Sequence, residues 1–231
     1  MNDRANGTPR PMKVISLNVG RPRLVLDRGR EVSTGIFKSP VAGPVMMRQT
    51  NFDGDRQADL DNHGGTNKAV YAYPSEHYEY WRNELPSVEL TWGNFGENLT
   101  TEGLLESEAR IGDRYRIGGA VVRVSQPRIP CFKLGIRFGR DDMPKRFLAS
   151  GRSGIYFSVV EEGPVSAGDA IELVERDACG ITVADVNRAF VRSRENLDLL
   201  RHIIELQILP HGLHTDLVER LTSMEARSVE A

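Results

Sequence analysis

The chain has 231 residues, 39% hydrophobic and 27% charged, which suits a folded globular core and excludes a mostly disordered polypeptide. Its formal net charge is −2, with 30 basic and 32 acidic side chains interspersed, so it offers no electrostatic footprint for nucleic acid or an anionic membrane. No apolar run approaches a membrane span, the polar leader MNDRANGTPRPM lacks a signal peptide's apolar stretch, and the two distant cysteines, Cys131 and Cys179, form no disulfide framework; the expected compartment is the cytoplasm.

From about residue 13 to 176 the pattern is strand-like, with turns at short intervals. Val14, Ile15, Leu17 and Val19 open it in a β-prone run, and the segment Ala69 to Tyr73 reads as a further strand. Ser75 is placed to cap a helix carrying Tyr78, Trp81 and Leu85, ended by Pro86. Arg114 to Ile117 and Ala120 to Val124 flank Gly118-Gly119, a dipeptide suited to a two-residue hairpin turn. Asp141 or Asp142 can cap a short helix through Phe147 and Leu148, stopped at Gly151. Two more runs, Ile155 to Val160 and Ala170 to Val174, are separated by a Gly-Pro turn and by Gly168-Asp169.

After Cys179-Gly180 the period becomes helical. Thr182 and Asp185 are spaced for a capping box ahead of Val183, Val186, Ala189 and Phe190. Asn196 starts a second run, Leu197, Leu200, Ile204 and Ile208, closed by Pro210, and a third carries Leu213, Leu217, Leu221 and Met224. Three short helices with one apolar face each must pack together or on the strands. The expected organisation is a loose leader over 1–12, a β domain over 13–178 and a three-helix domain over 179–231.

The densest chemistry lies in QPRIPCFKLG, residues 126 to 135. Two prolines stiffen the approach to Cys131, and Arg128 and Lys133 favour its thiolate, the form that attacks or binds metal. The plain alternative is a small core residue, the reading that fits Cys179 better. In DLDNHGGTNKAVYAYP, Gly64-Gly65 ahead of Asn67 and Lys68 can form an anion-holding loop, and His63 can donate a hydrogen bond, act as a base or ligate; on these residues alone an ordinary turn with an exposed histidine fits better. Lys38-Ser39-Pro40 offers a cation and a hydroxyl at a rigid turn, suited to phosphate, and NFGENLTT packs amides, a carboxylate and hydroxyls around Gly96. Glu161-Glu162 and Asp141-Asp142 are adjacent carboxylates that a strand would point to opposite faces, so neither is read as an acid/base pair. Neither a CxxC nor an HxxxH pair supports zinc.

In this order the strings GIFKSP, DNHGGTNKAVYAYP, WGNFGENLT, IGDRYRIGGAVVRVSQPRIPCFKLG and SGIYFSVVEEGPVSAGDAIEL resemble the MOSC family, named for the C-terminal domain of molybdenum-cofactor sulfurase. The tail beginning ITVADVNRAF is similar to that of the YiiM branch, associated with resistance to N-hydroxylated purines. The resemblance implies a mainly β (α+β) fold, a MOSC-type β-barrel with a small C-terminal three-helix domain, holding the pterin-based molybdenum cofactor. It implies Cys131 as the catalytic cysteine and protein ligand to molybdenum, Lys38 and Ser39 at the cofactor's phosphate end, and Asn98 and Arg128 as polar positions around it. Gly64, Gly65, His63 and Lys68 belong to a string typical of the branch and are carried as cofactor-binding candidates.

The reading that follows is a molybdenum-cofactor-dependent detoxifying oxidoreductase that reduces N-hydroxylated small molecules such as N-hydroxylaminopurines to amines. No GxGxxG fingerprint precedes a helix, so electrons are expected from a separate reductase; neither nucleic acid nor membrane is an expected partner, and a homodimer is left open. The alternatives are a sulfur carrier passing a Cys131 persulfide, and a cofactor-binding module without turnover.

Overall fold

The computed structural model describes residues 11–58, 64–190, 197–206 and 209–229; His63, Asn196 and Ile208, singled out above, lie outside them. Its strands are β1 (Met12–Val19), β2 (Arg23–Asp27), β3 (Arg30–Thr34), β4 (Ser39–Pro40), β5 (Val45–Met47), β6 (Val70–Pro74), β7 (Leu99–Glu102), β8 (Arg114–Ile117), β9 (Ala120–Pro127), β10 (Ile155–Glu161), β11 (Gly163–Val165) and β12 (Ala170–Glu175). Its helices are α1 (Glu76–Glu84), α2 (Phe132–Phe138), α3 (Met143–Ala149), α4 (Val183–Ala189), α5 (Leu197–Glu205) and α6 (His211–Val229), with a 3-10 turn at Thr66–Lys68. No helix among the described residues is long and apolar enough to cross a membrane.

Seven strands follow one another in the order β12, β8, β9, β10, β6, β7, β1, and β1 returns to β12 through Met12 opposite Ile171. The sheet is therefore a closed barrel, which removes exposed strand edges. Among the described residues only β6 and β7 pair in parallel. The β8–β9 hairpin turns at Gly118-Gly119 as the sequence predicts. The expected Gly-Pro turn is instead β11: Gly163 and Pro164 pair with Met47 and Met46 of β5. A side chain at Gly163 would collide with the Gly119 carbonyl at 2.2 Å, so glycine there marks close strand packing rather than a bend.

β6 divides two cores by simple alternation. Its Val70 and Ala72 face the barrel interior with Leu17, Leu99, Val122 and Phe157. Its Tyr71 and Tyr73 join an outer cluster with Tyr78 and Trp81 of α1, Phe95, Leu134 and Phe138 of α2, and Phe147 of α3. Ser75 precedes α1 as expected, but its hydroxyl makes no capping bond and its amide donates instead to Thr101 O. Asp142 likewise precedes α3 without capping it, because its carboxylate is engaged by Arg140 at 2.9–3.0 Å.

The C-terminal helices do not form a separate core. Ile181, Val183, Val186, Leu200, Ile203, Leu213 and Leu217 are buried in the same cluster as the barrel interior. Backbone bonds join the segment to the barrel loop, Ile111 N to Ile181 O and Val183 N to Ala109 O, both 2.9 Å.

The Thr182–Asp185 capping box is complete: Asp185 N donates to Thr182 Oγ1 at 3.1 Å and Thr182 N to Asp185 Oδ2 at 2.9 Å. Burial raises the Asp185 pKa, but the Thr182 bonds and Arg188 outweigh it and hold the carboxylate below its ordinary value. A folded value below the unfolded one contributes stability above the ordinary carboxylate range and loses it as pH falls through the folded value. Asp185→Asn is therefore expected to cost about 1 kcal/mol near neutral pH, with the gap to the native chain closing in acid, as followed by urea melts.

Candidate functional site

After β9 the chain passes Arg128 to Pro130 and brings Cys131 to the N-cap of α2, at φ −115° and ψ 175°. This helix was not anticipated. It is anchored by Leu134 and Phe138, which sit with Phe147 in the outer aromatic cluster. Tyr73 stacks on Phe95 with centroids 4.5 Å apart, and Trp81 Nε1 donates to Tyr73 Oη at 2.6 Å. The mount for Cys131 is thus a rigid aromatic core rather than a loop.

Opposite stands the loop from Trp92 to Asn98, wrapped around a buried carboxylate. Glu97 accepts from Gly93 N at 2.8 Å, Phe95 N at 3.0 Å, Thr100 Oγ1 at 3.0 Å and the Tyr78 hydroxyl. Burial pushes its pKa up, against these hydrogen bonds. The wrapped loop presents Gly96, at φ +76° and with no room for a side chain beside Ile36 Cγ1 at 2.9 Å. It also presents the Phe95 carbonyl, which accepts from Arg128 Nη1. Arg128 is 8% exposed, and its guanidinium lies 4.9 Å from the centre of the Tyr71 ring.

Between these walls opens a narrow cleft with about 80 Å³ of enclosed room, below the roughly 300–1,000 Å³ usual for small-molecule sites, and about 570 Å³ when its open mouth is included. Lys38, Lys68, Asn98, Arg128 and Cys131, all candidates from the sequence, line it together. Arg56, Lys133, Tyr71 and Tyr156 line it too and were not singled out for it beforehand, apart from Lys133 as a neighbour of the thiol. Five cationic side chains around one half-buried thiol make an electropositive site suited to an anionic ligand and to a thiolate. Ser39 does not line the cleft: it lies exposed on β4, opposite Val19 of β1. Gly64 and Gly65 border a neighbouring cleft that shares Lys68 and Tyr156 with the first.

The residue most clearly missed is Asp55. Its side chain is 1% exposed, and Lys38 Nζ lies 2.5 Å from both carboxylate oxygens. Asn98 Nδ2 donates to it at 2.9 Å and Gly20 N at 2.8 Å. Burial lowers the Lys38 pKa while Asp55 raises it, and burial prevails. The ammonium is committed to this pair, so Lys38 stiffens the cleft floor before it can serve a phosphate. Lys38→Ala should leave a buried carboxylate without its cation and cost about 3–5 kcal/mol in denaturant unfolding, with much of the loss recovered in Lys38→Ala/Asp55→Ala. A loss confined to ligand binding, with unfolding unchanged, would show the pair to be unimportant for the fold.

The closed barrel thus carries a cysteine mounted in a basic cleft. The MOSC domain family model matches residues 59–172. The "Uncharacterized protein YflK" of Bacillus subtilis is 46% identical over 191 residues, 83% of this chain and 86% of that protein. The crystal structure of YiiM from Geobacillus stearothermophilus superposes with a TM-score of 0.75 at 36% identity, covering 91% of this chain and 100% of that one. A protein named "Reductase" from Gibberella moniliformis is 36% identical over 86% of this chain, which spans 36% of that protein's length. The chain belongs to the MOSC domain family, in its YiiM branch.

Proposed function

We propose that the protein is a molybdenum-cofactor-dependent reductase of N-hydroxylated compounds, converting R–NH–OH, two electrons and two protons to R–NH2 and water. The observation that carries this reading is the convergence of Cys131, Arg128, Lys68, Lys133 and Arg56 on one cleft. These residues fit the pterin cofactor: a soft thiol suits molybdenum, and the cations suit an anionic phosphate end. The name of the Gibberella relative agrees with a reductive reaction.

When bound, the cofactor supplies the two-electron redox chemistry. The chain's own part is to bind, orient and protonate. Cys131 Sγ would ligate the metal, and the buried Arg128 guanidinium beside it favours the thiolate. Arg56, Lys68 and Lys133 would hold the phosphate end. Tyr156 faces both Arg128 and Cys131; burial raises its pKa, Arg128 works against that and Cys131 with it, so its Oη keeps a proton at neutral pH. That hydroxyl would donate a hydrogen bond to the substrate's hydroxyl oxygen.

The test is turnover of an N-hydroxylated purine by the purified protein with a chemical electron donor. One amine per two electrons is the expected stoichiometry. Absence of any amine from protein loaded with cofactor would overturn the reading.

A further inference from the structure

The neighbouring cleft lies between the 3-10 turn that follows Gly64-Gly65 and the start of α6, where His211, Gly212 and Asp216 form its far wall. It shares Lys68 and Tyr156 with the Cys131 cleft, so an occupant would sit directly beside the thiol site. Its inner wall holds Gln126 of β9, which is 5% exposed. Among the described residues nothing hydrogen-bonds to the Gln126 side-chain amide. Its amide atoms stay open to the cleft, where the edge of a ligand can pair with them. Ile129 and Leu213 add apolar contact, so the lining combines apolar surface for a ring's faces with polar groups for its edges.

We propose that this second cleft is the substrate subsite, and that it takes a planar nitrogen heterocycle whose edge the Gln126 amide reads. A carboxamide pairs in bidentate fashion with an edge that sets an acceptor ring nitrogen beside an N–H, as glutamine does with adenine. The assignment rests on the proposed reduction for the identity of the substrate, and it adds the C-terminal helices to the site: α6 closes the subsite from the barrel's far side.

Adenine, the amine end of the purine series, is the probe. Equilibrium dialysis with the purified full-length protein should show saturable binding. Gln126→Leu removes the amide, and Gly212→Trp fills the mouth at a position where a side chain meets nothing within 4 Å. Each should weaken adenine binding about tenfold or more, raise KM for the N-hydroxylated purine more than it lowers kcat, and leave molybdenum content unchanged. Thermal melts identify a variant that has lost its fold, and Gly212→Trp, lying outside the core, carries the test if Gln126→Leu does. Failure of the native chain to bind adenine, or binding and KM indifferent to both variants, overturns the subsite. If adenine binding depends on Gln126 while no N-hydroxylated compound is reduced, the purine subsite stands and the proposed reaction falls.

Discussion

Cys131→Ser is expected to abolish reduction of N-hydroxylated purines, by about a hundredfold or more, with the melting temperature nearly unchanged. Oxygen is a harder and weaker ligand for molybdenum than thiolate, and serine is not ionised at neutral pH, so the cleft loses its one soft donor. The fold should tolerate the change, because Cys131 is half-buried and its side chain makes no capping bond to α2. Cys179→Ser is the internal control. Cys179 lies beyond the barrel with its Sγ 3.2 Å from the Ile111 carbonyl, and burial raises its pKa, so that thiol stays protonated and inert. Substantial activity in the first variant, or loss only in the second, would contradict the role given to Cys131.

A chain ending at residue 178 should aggregate or melt far below the full-length protein. If the three helices served only as a docking surface for the electron donor, the barrel would be stable in their absence. The continuous core argues otherwise. Ile181, Val183, Val186, Leu200, Ile203, Leu213 and Leu217 would go, at about 1.5–3 kcal/mol each for full burial, and Ala189 with them. Part of that is helix against helix, yet even a third approaches the whole stability of about 5–15 kcal/mol typical of a domain. The truncated chain would also lose the α6 wall of the second cleft. Far-UV circular dichroism and thermal melts decide the matter: a soluble fragment with a near-native melting temperature would restore the docking view.

What the sequence revealed, and what it hid, follows from the range of the interactions. The β8–β9 hairpin, the Thr182 capping box and the apolar stripes of α4 to α6 are local, with periods of 2 and 3.6 and turn residues that announce themselves. Helix α2 was hidden because Gly135 stands inside it, where glycine reads as a breaker. The structure explains it: a side chain there would meet the Arg140 carbonyl at 2.8 Å. The site split the same way. Resemblance brought Lys38, Lys68, Asn98, Arg128 and Cys131 to one list, and they do share one cleft. Asp55 escaped notice because its partners Gly20, Lys38 and Asn98 are 35, 17 and 43 residues away. Glu97 was seen only as one carboxylate in a polar turn: three of its four donors lie within four residues, but the turn's composition does not say that they and the distant Tyr78 hydroxyl will close on it.

The measurement that bears most directly on this account is metal and pterin analysis of freshly purified protein, with sulfane sulfur measured in the same sample. The account expects molybdenum near one per chain, pterin fluorescence on denaturation, and loss of the metal in Cys131→Ser with the fold retained. A labile persulfide on Cys131 in protein free of molybdenum and pterin would contradict it and make the chain a sulfur carrier instead.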